Sequence, residues 1–193
     1  VTRGADVIEA EASGQLITRE AAFGYRVRSF FDFDDRVVKA EVENRDGNTQ
    51  GVGVFVERGI VYDILSNVVS SSVEVDADTT LVTSMRYDAS ENPVSVDLPE
   101  GNQVATAYDE RDLVFTVTRG AGAAEASTIR VDYDGNKNRV VVVDAEDNDG
   151  DGSGEQTVLV RDGFDRVIEA TDPLGNRALT TYDVASNVVR SQV

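Results

Sequence analysis

Hydrophobic and polar positions alternate in short runs along this chain. Phe23, Tyr25, Val27, Ser29 and Phe31 fall on one side of an extended segment, with Arg26 and Arg28 on the other. Val38, Ala40 and Val42 alternate with Lys39, Glu41 and Glu43; Val94, Val96 and Leu98 with Ser95 and Asp97; Ile129, Val131 and Tyr133 with Arg130 and Asp132. A period of two marks a half-buried strand, and no segment sustains the helical period. Valine outnumbers leucine, and a side chain branched at Cβ fits pleated backbone better than helix. Gly47-Asn48, Gly101-Asn102, Gly135-Asn136 and Gly175-Asn176 punctuate the runs; glycine at these places predicts the positive φ that tight hairpin turns require. The expected fold class is all-β, with antiparallel β-hairpins in tandem.

Composition narrows the function. The chain has 193 residues, 40% of them hydrophobic, enough for one ordinary domain or a row of smaller units. Asp+Glu total 36 against 18 Lys+Arg, a net charge of -18, so no cationic surplus exists to release counterions from nucleic acid or to seek anionic lipid. Neither nucleic-acid binding nor membrane insertion is expected, and no apolar run approaches the roughly 18 residues of a spanning segment. There is no Cys and no His, which removes disulfides, zinc sites of the usual kind, and thiol or imidazole catalysis. Lys39 and Lys137 are the only lysines, and the chain starts at Val1, which points to a mature product or an excised piece of a longer polypeptide.

The strongest signal is repetition. Five of the six tyrosines precede aspartate, as Tyr62-Asp63, Tyr87-Asp88, Tyr108-Asp109, Tyr133-Asp134 and Tyr182-Asp183, and fixed-pattern recurrence is the signature of stacked supersecondary units. Phe31-Asp32 and Arg161-Asp162 keep the motif's length and its trailing apolar pair. Units therefore start near 31, 62, 87, 108, 133, 161 and 182, with residues 1–30 a partial or degenerate repeat. Gly101-Asn102 and Gly175-Asn176 fall at one offset inside two units of equal length, and the longer units are expected to differ by longer loops at one end. Each aromatic closes an alternating strand, which predicts an inward ring, a hydroxyl with a partner, and an aspartate that opens the turn.

These Tyr-Asp pairs, the Arg or Asn with two apolar residues that follows, and Asp172-Pro173-Leu174-Gly175-Asn176 resemble the bacterial RHS/YD-repeat proteins over residues 31–193. The resemblance implies hairpins joined into a curved β-sheet strip or part of a spiral β-shell, as in Tc insecticidal toxins and teneurins. It also implies a secreted or cell-surface bacterial setting, neighbouring repeats or other copies as partners through open sheet edges, and toxin-type cargo. The family's carboxy-terminal self-cleavage signature has no counterpart here.

Two candidate chemistries stand beside that structural reading. Asp147, Asp149, Asp151 and Glu155 alternate with Asn148, Gly150 and Gly152, as the first half of a Ca2+ loop requires, although position twelve is Val158 and not the bidentate Glu of an EF-hand. Acidic pairs such as Asp34/Asp35 and Glu110/Asp112 have the chemistry of a glycosidase, yet spacing selects none among 36 carboxylates. No catalytic residue is assigned. The expected function is a non-enzymatic structural module, a section of shell that encloses or displays a partner; the alternative is a surface module that binds a glycan or protein, with Ca2+ as its candidate cofactor.

Overall fold

The computed structural model describes residues 7–11, 14–20, 26–43, 55–76, 78–146 and 154–193, with side chains described from residue 26 onward. Gly47-Asn48, Phe23, Tyr25, Asp147, Asp149 and Asp151 lie outside the described residues. The chain divides into two compact units, Val1–Arg86 with Val96–Gly101, and Tyr87–Ser95 with Asn102–Val193.

The first unit holds β1 (Val7–Glu11), β2 (Gly14–Glu20), β3 (Arg26–Phe31), β4 (Val37–Glu43), β5 (Phe55–Tyr62), β6 (Val68–Glu74) and β7 (Thr80–Tyr87), whose last residue groups with the second unit. Each strand pairs antiparallel with the next in the chain. β8 (Pro93–Asp97) gives Pro93–Ser95 to the second unit and its last two residues to the first. The second unit continues through β9 (Gln103–Tyr108), β10 (Val114–Arg119), β11 (Ser127–Tyr133), β12 (Arg139–Val143), β13 (Gln156–Arg161), β14 (Val167–Thr171), β15 (Arg177–Tyr182) and β16 (Val188–Gln192). These again pair antiparallel in chain order. No helix occurs among the described residues, so the all-β, hairpin-built class read from the sequence is the observed one.

Register sorts the side chains into two faces. In the first unit Val27 lies opposite Val42, which lies opposite Val56, while Arg28, Glu41 and Glu57 line up on the reverse face. There Arg28 and Lys39 bridge Glu41 at 3.3 and 2.9 Å, and Lys39 also reaches Glu57 at 2.7 Å. In the second unit Thr106, Val117 and Ile129 form one row and Val131 with Val142 the next. Cross-strand rows of this kind each contribute about 0.2–1 kcal/mol.

The interior differs from the expected one. Among the described residues no hydrophobic side chain is fully buried, and the two most buried side chains are polar, Glu43 and Ser95. Glu43 takes hydrogen bonds from the Arg26 backbone N–H at 3.1 Å and its guanidinium at 3.2 Å. Tyr62, Tyr87, Tyr108, Tyr133 and Tyr182 are half-buried, not enclosed. The physical reason is architectural: strand contacts run between chain neighbours, and a sheet buries a face fully only when a second layer packs on it.

Each unit is a meander, so its two sets of connections lie at opposite edges. Turns of the Tyr-Asp kind join β3 to β4, β5 to β6, β7 to β8, β9 to β10, β11 to β12, β13 to β14 and β15 to β16. Longer connections, at 120–126 and 144–155, join β10 to β11 and β12 to β13 at the other edge.

Candidate functional site

The feature with the most specific geometry is the set of Tyr-Asp turns along one edge of each unit. In every one the aspartate Oδ1 accepts the backbone N–H groups two and four residues later, at 2.8–3.1 Å, from Asp32, Asp63, Asp88, Asp109, Asp134, Asp162 and Asp183. The aspartate N–H donates to the carbonyl four residues on, and the N–H three residues on donates back to the aspartate carbonyl. Oδ2 takes a side-chain donor: Asn67, Asn92, Asn138 and Asn187, or Arg36 and Arg166, all four residues on, with Arg111 in that role at Asp109. One carboxylate thereby closes a five-residue loop whose backbone donors would otherwise lack partners.

The residue three after the aspartate holds positive φ in all seven turns: Asp35, Ser66, Glu91, Asp112, Lys137, Asp165 and Ser186. This corrects the expectation for Gly135-Asn136, where Lys137, not the glycine, occupies the left-handed region. Gly101 and Gly175 do hold positive φ, at 84° and 82°, and both close turns at the opposite edge. There Gly101 N–H donates to Leu98 and Gly175 N–H to Asp172. Asn176 caps Asp172 through its backbone and its side chain, both at 2.8 Å, so this turn repeats the Tyr-Asp design without a tyrosine. Asn102 follows Gly101 as an exposed residue.

Tyrosine supplies the link between turns. The hydroxyls of Tyr62, Tyr108, Tyr133 and Tyr182 donate to the carbonyls of Val37, Pro93, Val114 and Val167 at 2.9–3.1 Å. Every acceptor stands five residues after the aspartate of the preceding turn. Arg161, which replaces tyrosine in its unit, directs Nε and a terminal nitrogen at the equivalent carbonyl, that of Arg139, at 3.4 Å. Arg36 lies over the Tyr62 ring at 4.7 Å and Arg166 over Tyr182 at 4.6 Å, so two rings carry a cation on one face.

Electrostatics follow the hydrogen bonds. The backbone N–H and then the guanidinium of Arg36 hold the Asp32 carboxyl below the ordinary aspartate range. The Asn138 N–H does the same for Asp134, and the Asn187 side chain for Asp183. At Asp63 and Asp109 partial burial pushes upward, and the surrounding donors outweigh it. The Tyr108 phenol is raised by burial and by the Asp88 charge.

Of the candidate calcium residues only Glu155 is described. It sits at the neck of its connection, where its carbonyl accepts from Asp144 N–H and its own N–H donates to Glu146. A Cβ at Gly154 would collide with the Asp144 carbonyl oxygen, so that neck requires glycine. No group of three or more potential metal ligands occurs among the described residues. Asp34 pairs with Arg36 at 3.4 Å, and Asp112 accepts from Asn92 at 2.8 Å, so both acidic pairs are tied into the turns. The signal that sequence reading missed is the side chain three residues past each aspartate, whose left-handed backbone no glycine announces.

No family profile and no characterised protein sequence matches the chain. Solved structures do. The chain is similar over 96% of its length to a chain in the TcdB2–TccC3–Cdc42 crystal structure, with TM-score 0.60 and 14% identity. A Photorhabdus luminescens Tc holotoxin pore matches over 96% with TM-score 0.60 and 13% identity, and TcdB2–TccC3 without its hypervariable C-terminal region gives the same values. The chain spans only 11–12% of the length of these neighbours. Among the described residues no helix is long and apolar enough to cross a membrane. Motif and backbone lead to one group: the fold of this chain is shared with chains of the TcdB2–TccC3 Tc toxin complexes.

Proposed function

We propose that the chain is a non-enzymatic structural segment, a section of RHS/YD-type wall built from units starting near 31, 62, 87, 108, 133, 161 and 182, with residues 1–30 as a partial unit. In this reading it acts outside the cell and encloses or displays a partner, with toxin-type cargo the occupant by analogy to the Tc neighbours. The observation that carries it is the tyrosine clasp: four hydroxyls and one guanidinium reach the same backbone position of the preceding turn. Such a ladder spends its polar groups on joining units and leaves the repeated residues no free chemistry. Expression of the flanking reading frame with this segment, followed by electron microscopy, tests it. A closed chamber with density inside supports the wall, and a solid or fully open array contradicts it.

The alternative, a surface module that binds a glycan or protein, draws on one observation. Phe33 and Ile64 in the first unit, and Phe164 and Val184 in the second, stand largely exposed at turn tips, and exposed apolar surface of this kind supplies contacts for a partner. Its calcium-dependent form rests on Asp147, Asp149, Asp151 and Glu155. A melting temperature several degrees higher in millimolar Ca2+ than in chelator is the expected outcome if those residues hold the ion, and identical curves count against it.

A further inference from the structure

Among the contacts between adjacent turns one side-chain pair recurs, and at Asp165 Asn136 Nδ2 adds a second donor at 2.9 Å. Arg36 Nη1 donates to Ser66 Oγ at 2.8 Å, and Arg166 Nη1 to Ser186 Oγ at 3.1 Å. Asn92 Nδ2 donates to Asp112 Oδ1 and Asn138 Nδ2 to Asp165 Oδ1, at 2.8 and 2.9 Å. In each case the donor is the fourth residue after its aspartate and the acceptor the third after the next one. A long donor meets a short acceptor, or a short donor meets a longer one. We propose that these two positions form a docking code, in which combined side-chain reach selects the turn that each turn accepts as its neighbour: arginine takes a unit with serine, and asparagine a unit with aspartate.

The reason is geometric. The clasp and the strand ladder fix how far apart consecutive turns stand, so the gap between them is set before these side chains fill it. Arginine first spends Nε and Nη2 on its own aspartate, at 2.6–2.8 Å for Asp162, which leaves Nη1 for the next turn, where that of Arg166 meets the Ser186 hydroxyl and also the Asp183 carbonyl at 3.2 Å. Asparagine spends one N–H on its own aspartate and has one left; against serine it would fall short of hydrogen-bond distance, whereas a carboxylate spans the remainder. Leu113 can make neither bond, and its turn uses Arg111 instead, which donates to the Asp134 carbonyl at 2.6 Å. The left-handed backbone at the acceptor position tolerates the short polar residues the code needs.

The inference rests on reading the turns as docking surfaces between units, and a double-mutant cycle on the full chain separates the two. Asp112→Ser creates the short–short mismatch. Amide exchange in β9 and β10 is expected to quicken about fivefold in the wild-type background, the loss of one ordinary hydrogen bond, and no more than about twofold when Asn92→Arg is also present. Equal acceleration in both backgrounds overturns the code and leaves docking intact; no acceleration in either overturns both. The reverse cycle keeps the result independent of one site: Arg36→Asn makes the same mismatch with Ser66, and Ser66→Asp is expected to recover the protection it loses. Failure of that recovery contradicts the code.

Discussion

Seven residues other than glycine hold positive φ at the third position after a turn aspartate, a backbone region that costs an L-residue about 1–2 kcal/mol. Aspartate bears this best, and Lys137 has no such aptitude. Lys137→Gly is therefore expected to raise stability by about 0.5–1 kcal/mol in denaturant melting, after the entropy that glycine adds to the unfolded chain. The turn carboxylates give a second expectation. Asp32, Asp88, Asp134, Asp162 and Asp183 take up their protons at lower pH in the folded state than in the unfolded one. The folded chain thus binds fewer protons than the unfolded one once pH drops below about 4, the ordinary aspartate value. Stability from these caps is fully present above that value and is lost as pH falls through the depressed folded values. The melting temperature should fall steeply below about pH 4 and stay nearly flat just above it; a decline beginning near neutrality would contradict the assignment.

At the scale of the hairpin, the two edges carry different jobs. The Tyr-Asp edge is closed by carboxylate caps and turn-to-turn bonds, whereas the connections at 120–126 and 144–155 vary in length. Three glycines inserted after Gly122, whose φ is 84° and whose surroundings are open, should leave the melting temperature within a few degrees, because lengthening a flexible loop costs little. The same insertion after Glu110 breaks the Asp109 cap and should destabilise the protein severely. Strands were legible in the sequence because their period is local: Ile129, Val131 and Tyr133 declare one face within five residues. So was the existence of a turn after each Tyr-Asp pair, since aspartate nucleates one. The acceptor of each hydroxyl was not legible, because Val37 and Tyr62 meet only through strand register. Nor was the half-exposed state of the rings, which depends on whether a second layer covers the sheet.

Over the whole molecule, the described residues contain no fully buried hydrophobic side chain, and 36 acidic residues oppose 18 basic ones. Stability cannot be concentrated in one core, and it accrues instead from each strand pair and each clasp with its neighbour. Such an array behaves as a sum of nearest-neighbour terms, so a local defect has a local effect. Arg161 belongs to this logic: it keeps a donor on the Arg139 carbonyl where a tyrosine is missing. The most direct measurement is residue-resolved amide exchange on the full chain carrying Tyr133→Phe, which deletes one hydroxyl and its bond to Val114. The account predicts lost protection of about fivefold in β10, β11 and β12, the yield of one hydrogen bond, with β15 and β16 unchanged. Protection that is unaltered throughout, or that falls evenly along the chain, would contradict it.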